Sequence, residues 1–148
     1  MIKRLKRPMA MGSLIIMLFL ALTASMCDDN DDNTNTSDVS NSLKAGTWTI
    51  TYYFDQVDET SDFAGYEFTF NDDGTAVAIL GATSTNGTWS VENSSSGERK
   101  LNLDFGTSSP LDELEEDWKI LESNSNRIKL ENVSGGSGLT SSLTFERK

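Results

Sequence analysis

The sequence predicts an all-β protein: an eight-stranded antiparallel up-and-down barrel with one short helix between strands five and six. Three observations carry this reading. From about residue 43 onward, apolar residues recur with a period of two rather than 3.6. The apolar runs are short and are separated by polar turns rich in Asn, Asp, Gly and Ser. Closing the sheet on itself removes the exposed edges that invite aggregation, which favours a barrel over an open sandwich.

Residues 1–26 read as a leader. Lys3, Arg4, Lys6 and Arg7 form a basic start, and Leu14, Ile15, Ile16, Met17, Leu18, Phe19 and Leu20 form a short apolar core. Small residues Thr23, Ala24 and Ser25 follow, the pattern of a secretory signal. The apolar core is short for a spanning helix, which needs about 20 apolar residues. The stretch from Leu22 to the single cysteine, Cys27, resembles a bacterial lipobox, in which that Cys is lipidated and becomes the mature N-terminus. Two or more acyl chains on Cys27 would anchor the protein stably, at about 0.8 kcal/mol per buried CH₂.

Residues 27–43 read as the lipidated Cys followed by a disordered acidic tether. The stretch 28–37 holds Asp28, Asp29, Asp31 and Asp32 but no aromatic or aliphatic side chain, so it cannot offset the entropy of ordering. This acidic block resembles the surface-export signal of Bacteroidota lipoproteins. It lacks the ligand spacing of an EF-hand loop, so no metal site is expected there.

The barrel domain is placed at 44–148. Trp48, Ile50, Tyr52 and Phe54 alternate with Thr47, Thr49, Thr51 and Tyr53. Tyr66, Phe68 and Phe70 lead into the Asp73-Gly74 turn, and Val77 and Ile79 follow. Trp89 and Val91 mark the next strand, then Leu101, Leu103 and Phe105. Trp118 with Ile120, Ile128 with Leu130, and Leu143 with Phe145 complete the eight. The one helical interruption runs from Ser109 to Glu115, with Ser109 as N-cap, Pro110 at the first helical position and acids in the first turn. Leu111 and Leu114 fall on one face of it, placed to cover a barrel end.

Composition narrows the chemistry. The 148 residues carry 12 Lys+Arg against 23 Asp+Glu, no His and one Cys, for a net charge of −11. Without His there is no Ser-His-Asp or Cys-His machinery, and one Cys provides neither a disulfide framework nor a thiolate metal cage. So negative a chain is a poor partner for nucleic acid. Loss of the leader leaves eight basic residues against 23 acidic, a net charge of −15, which holds the domain away from anionic lipid.

Gly46-Thr47-Trp48 at the entry to the first strand resembles the Gly-x-Trp signature of lipocalins. The segment from about residue 43 to 148 is similar to the lipocalin-like domains of Bacteroidota cell-envelope lipoproteins. The likeness is carried by Gly74-Thr75, Gly87-Thr88-Trp89-Ser90-Val91, Asp117-Trp118-Lys119-Ile120 and Leu143-Thr144-Phe145-Glu146. It implies that Trp48 packs at the closed end of the barrel against a basic residue of the last strand, for which Arg147 is placed. It also implies a barrel able to hold a small apolar molecule, on an outer-membrane lipoprotein exposed at the cell surface.

Ten aromatics fall on the face read as inward: Trp48, Tyr52, Phe54, Tyr66, Phe68, Phe70, Trp89, Phe105, Trp118 and Phe145. Core packing is the first expectation for each ring, because an eight-stranded barrel can be filled by its own side chains or hold one small ligand. Tyr52 and Tyr66 are the candidates for ligand contact, since a buried hydroxyl needs a partner. The leading expectation is a non-enzymatic domain that binds a small apolar ligand or an envelope protein, needs no cofactor or metal, and touches membrane only through its lipid. A structural accessory subunit of an envelope complex is the alternative. A glycan hydrolase using paired carboxylates is a third class; Asp55, Asp104, Glu122 and Glu67 lie in or near strands, and two such groups would have to converge at about 5–9.5 Å.

Overall fold

The computed structural model describes residues 36–136 and 138–148. They form one compact unit. The first element is helix α1 (Thr36–Lys44). It corrects the sequence reading, which leaves residues up to 43 in a disordered tether. Val39 and Leu43 lie four apart on one helix face, and both are wholly buried. Asp38 in the first turn and Lys44 in the last suit the helix dipole. A nine-residue helix is marginal alone, so burial of these two side chains holds it.

Nine strands follow: β1 (Trp48–Asp55), β2 (Val57–Asp58), β3 (Glu67–Phe70), β4 (Thr75–Leu80), β5 (Thr83–Asn93), β6 (Arg99–Asp104), β7 (Asp117–Ser123), β8 (Arg127–Val133) and β9 (Thr140–Arg147). One 3₁₀ turn, Thr60–Phe63, lies between β2 and β3, and a second, Leu111–Leu114, between β6 and β7. Strands β3 to β9 pair antiparallel in sequence order, and β1 pairs with both β3 and β9. That pairing closes an eight-stranded up-and-down barrel, with β2 as a two-residue flap on β1. The fold is the one the alternation predicts.

The short helix between the fifth and sixth barrel strands is a single 3₁₀ turn. It starts at Leu111, after Pro110, and no side chain caps it. Backbone alone closes it: the amides of Asp112 and Glu113 donate to the carbonyls of Ser108 and Pro110. Leu111 and Leu114 are both buried, as their spacing requires.

Two strand irregularities redirect side chains. The β1–β9 register shifts between Ile50 and Tyr52. A bulge adds one residue and reverses the faces beyond it. Tyr53 therefore points inward and is 3 % exposed, while Tyr52 points outward and is 41 % exposed. Phe54 is half-buried on the outer side, its ring parallel to that of Tyr52. The β7–β8 register shifts between Ile120 and Glu122, which leaves Leu121 in solvent.

On β4 the inward residues are Ala76 and Ala78 rather than Val77 and Ile79. The reason is volume. Ala78 lies opposite Phe68 and Ala76 opposite Phe70, and the small side chains leave room for the rings.

The core is continuous from end to end and is entirely apolar among the described residues. Its centre is a chain of edge-on ring contacts. Phe68 meets Phe105 at 5.9 Å and Phe145 at 5.4 Å, and Phe70 meets Phe145 at 5.9 Å and Trp89 at 5.5 Å. Each such pair adds about 0.5–1.5 kcal/mol beyond burial.

Candidate functional site

At the end where β1 begins, α1 seals the barrel. The Trp48 indole N–H donates to the Leu43 carbonyl at 2.8 Å, tying the wall to the helix. Trp48 lies opposite Arg147 in the β1–β9 register, and the guanidinium carbon stands 5.3 Å from the centre of the indole. The Arg147 guanidinium also donates to the Ser42 carbonyl at 3.2 Å. Gly46 makes the approach possible: a Cβ there would stand 3.0 Å from Arg147 Nε. The structure thus brings Gly46, Trp48 and Arg147 together in one closure, with a cation–π contact at its centre.

The opposite end, where β1 finishes, is closed by the two 3₁₀ turns. Phe63 from the first is 1 % exposed, and Leu111 and Leu114 from the second are as deeply buried. Tyr53 links them. Its ring meets Phe63 at 4.9 Å and Trp118 at 6.4 Å, and its hydroxyl donates to the Glu113 carbonyl at 3.1 Å. Burial, with carboxylates nearby, pushes the Tyr53 hydroxyl pKa well above the ordinary tyrosine value. Trp118 donates to the Leu114 carbonyl at 3.0 Å, and Trp89 to the Asn71 carbonyl at 3.0 Å. Each of the three tryptophans therefore uses its one polar atom to fasten a connecting segment.

With both ends closed and rings through the middle, a groove lies on the outer wall. β6 and β7 share only three register pairs, Lys100 with Lys119, Leu101 with Trp118 and Asn102 with Asp117, before the chain leaves for the second 3₁₀ turn. A groove of about 790 Å³ forms there, reaching across to the end of β8. Six carboxylates line it, on Glu98, Asp104, Glu115, Glu116, Asp117 and Glu131, against two lysines. Both lysines are engaged: Lys119 with Glu98 at 2.5 Å and Lys100 with Asp117 at 3.7 Å. The Lys119 hydrogen bond draws the Glu98 pKa down and raises that of Lys119. Glu116 accepts from the Asn132 amide at 2.5 Å. The groove is polar, net negative and without an aromatic side chain in its lining.

No protein-family model matches the chain, and no curated protein matches it. Among solved structures the chain is similar to the crystal structure of a DUF4847 family protein from Bacteroides vulgatus. The two share 16 % identity over 72 % of this chain and 94 % of that chain, with a TM-score of 0.47.

The other residues singled out from the sequence are placed apart. Cys27 lies outside the described residues. Tyr52 faces solvent on the outer wall of β1, beside Phe54. Tyr66 is half-buried at the approach to β3, its ring 6.1 Å from that of Phe68. The rings of Tyr52 and Tyr66 thus belong to separate pairs. Of the strand carboxylates, Glu122 accepts from Arg127 at 2.9 Å and Glu67 is ion-paired with Lys148. Asp55 accepts from the Ser141 hydroxyl and Asp104 from the Gly106 amide.

Sequence reasoning missed Tyr53 and Phe63, the two rings that close the second end. Tyr53 is hidden by the bulge, because strict alternation puts it outside. Phe63 is the one aromatic in the largely polar stretch 56–65, and that is the local hint of it.

Proposed function

We propose that this chain is a lipid-anchored, non-catalytic interaction domain of a bacterial cell envelope. Residues 1–26 export it, Cys27 holds it to the membrane, and a protein partner docks on the outer wall of the barrel, at the groove between β6 and β8. The resemblance to lipocalin-like envelope lipoproteins supports the setting. The observation that carries the mode of action is the occupied interior. The barrel is filled by its own rings and both ends are covered, so the wall is the surface left for recognition. The carboxylate excess in the groove suits a partner surface that presents cations.

A photo-crosslinking residue at Val133, on the groove rim, tests this on intact cells. One discrete adduct is expected, and it should be lost when Glu116→Lys and Glu131→Lys are combined. The same probe at Ser95, in the β5–β6 turn, should give none. Equal labelling from both positions, or no adduct from Val133, would argue against the groove as the docking surface.

A further inference from the structure

The second 3₁₀ turn carries a carboxyl group that the preceding reading does not use. Glu113 Oε2 is shielded from solvent and has no hydrogen-bond partner. The same residue's carbonyl accepts the Tyr53 hydroxyl, which ties the turn to β1. The groups facing Glu113 are acids: Glu59 and Asp62 from the segment of the first 3₁₀ turn, Asp112 from its own turn and Asp55 from the end of β1. Tyr53 beside it is neutral, and Glu116 lies just beyond. The ion pairs on Asp72, Asp117, Glu98, Glu122 and Glu67 do not involve this group. Besides its two buried leucines, the turn is held by Asp112 N–H to Ser108 O, Glu113 N–H to Pro110 O, Glu115 N–H to Asp112 O, Glu116 N–H to Leu114 O, and the Tyr53 and Trp118 contacts. A single turn in a connection between strands can open locally while the paired strands of the barrel stay closed.

We propose that the turn Leu111–Leu114 is a proton-dependent latch over the end of the barrel, closed while Glu113 is neutral and loosened when it is charged. Opening would uncover an apolar floor at Phe63 and Trp118 and the latch's own Leu111 and Leu114, all 1 % exposed or less in the closed state. The sign follows from the surroundings. Burial first, then the charges of Glu59, Asp112, Asp62 and Asp55, raise the Glu113 pKa above the ordinary glutamate value. The closed state therefore binds the proton more tightly than the open one. Its stability is complete below the ordinary glutamate range and falls as pH rises through the raised value. Acid closes the latch and neutrality loosens it.

Hydrogen exchange on the full chain tests the latch at the amides of Glu113 and Glu115. After correction for intrinsic rates, their protection should fall by about threefold or more between about pH 4 and pH 7. In Glu113→Gln the protection should be flat across that range. Glu146→Gln, which removes a charge from β9 at the other end, should keep the wild-type slope. A slope that persists in Glu113→Gln, or a flat wild-type profile, overturns the proposal. Should Glu113→Gln fail to fold, the NMR titration of the wild-type Glu113 carboxyl decides. A midpoint at or below the ordinary glutamate value overturns the latch, and a raised midpoint moving with the protection of Glu113 and Glu115 supports it.

Discussion

Truncating Leu43 to alanine tests whether α1 is part of the barrel domain or a loose leader into it. Leu43 is wholly buried at the last turn of the helix. Its carbonyl is held by the Trp48 indole at 2.8 Å, and the neighbouring Ser42 carbonyl by Arg147 at 3.2 Å. The helix end is therefore pinned twice and cannot slide inward to fill the space the side chain leaves. Leu→Ala changes in rigid cores cost about 2.7–5 kcal/mol, the larger values where the cavity stays open, so a loss of about 3–4 kcal/mol is expected. With unfolding entropy of about 2.1 cal/mol/K per residue over roughly 110 residues, the Tm should fall by about 13–17 °C. Urea denaturation followed by tryptophan fluorescence is the assay. The midpoint should drop with the slope unchanged, since nearly the same surface is exposed on unfolding. Asn41→Ala, exposed on the same helix, should change stability by less than about 0.5 kcal/mol. A loss below about 1 kcal/mol for Leu43→Ala would show that the helix is not a seal.

Other outcomes follow from the same geometry. Arg147→Met keeps much of the side chain's stem but removes the cation over Trp48 and the bond to Ser42; urea titration should show a loss of about 1–2 kcal/mol, reduced for the wild type by high salt. Gly87→Ala would put a Cβ 2.3 Å from the Asp104 carbonyl oxygen and 2.6 Å from the Phe105 ring, so β5 and β6 must separate. A loss of about 2 kcal/mol or more is expected by the same titration, against less than about 0.5 kcal/mol for Gly135→Ala, which meets nothing. Glu113→Gln should match the wild type in stability near pH 4 and exceed it near pH 7, because the raised carboxyl stabilises the fold only while protonated. Equal stability of the two at both pH values would show that the Glu113 charge is not strained.

The barrel was legible because its cause is local. Trp118 and Ile120, Ile128 and Leu130, and Leu143 and Phe145 alternate with neighbours that are polar except Leu121, and each ends up inside. What was not legible depends on partners far along the chain. Ile50 through Phe54 is apolar or β-branched on both faces, so nothing in it marks the bulge that sends Tyr53 in and Tyr52 out. Ala76 and Ala78 are inward only because Phe68 and Phe70 stand across from them, a matching of volumes invisible in β4 alone. Helix α1 has just two apolar anchors in nine residues, and its order comes from the barrel end it covers. The outer groove arises where β6 and β7 part after three pairs, a property of the connection rather than of any motif. Among the site residues, Trp48 and Arg147 could be paired in advance because Gly46-Thr47-Trp48 resembles the lipocalin signature, which implies a basic partner on the last strand. Glu113 could not, since its burial depends on two turns from distant parts of the chain folding over the same end.

We propose that this barrel, filled by its own side chains, acts through its outer wall. Native mass spectrometry of the full-length protein, gently extracted from its own membrane, tests it most directly. The expected mass is that of the processed chain plus covalent lipid, unchanged by collisional activation. A stoichiometric small molecule that leaves on activation, and that is absent from a variant with the interior overfilled by Ala78→Leu, would place a ligand inside the barrel and contradict it.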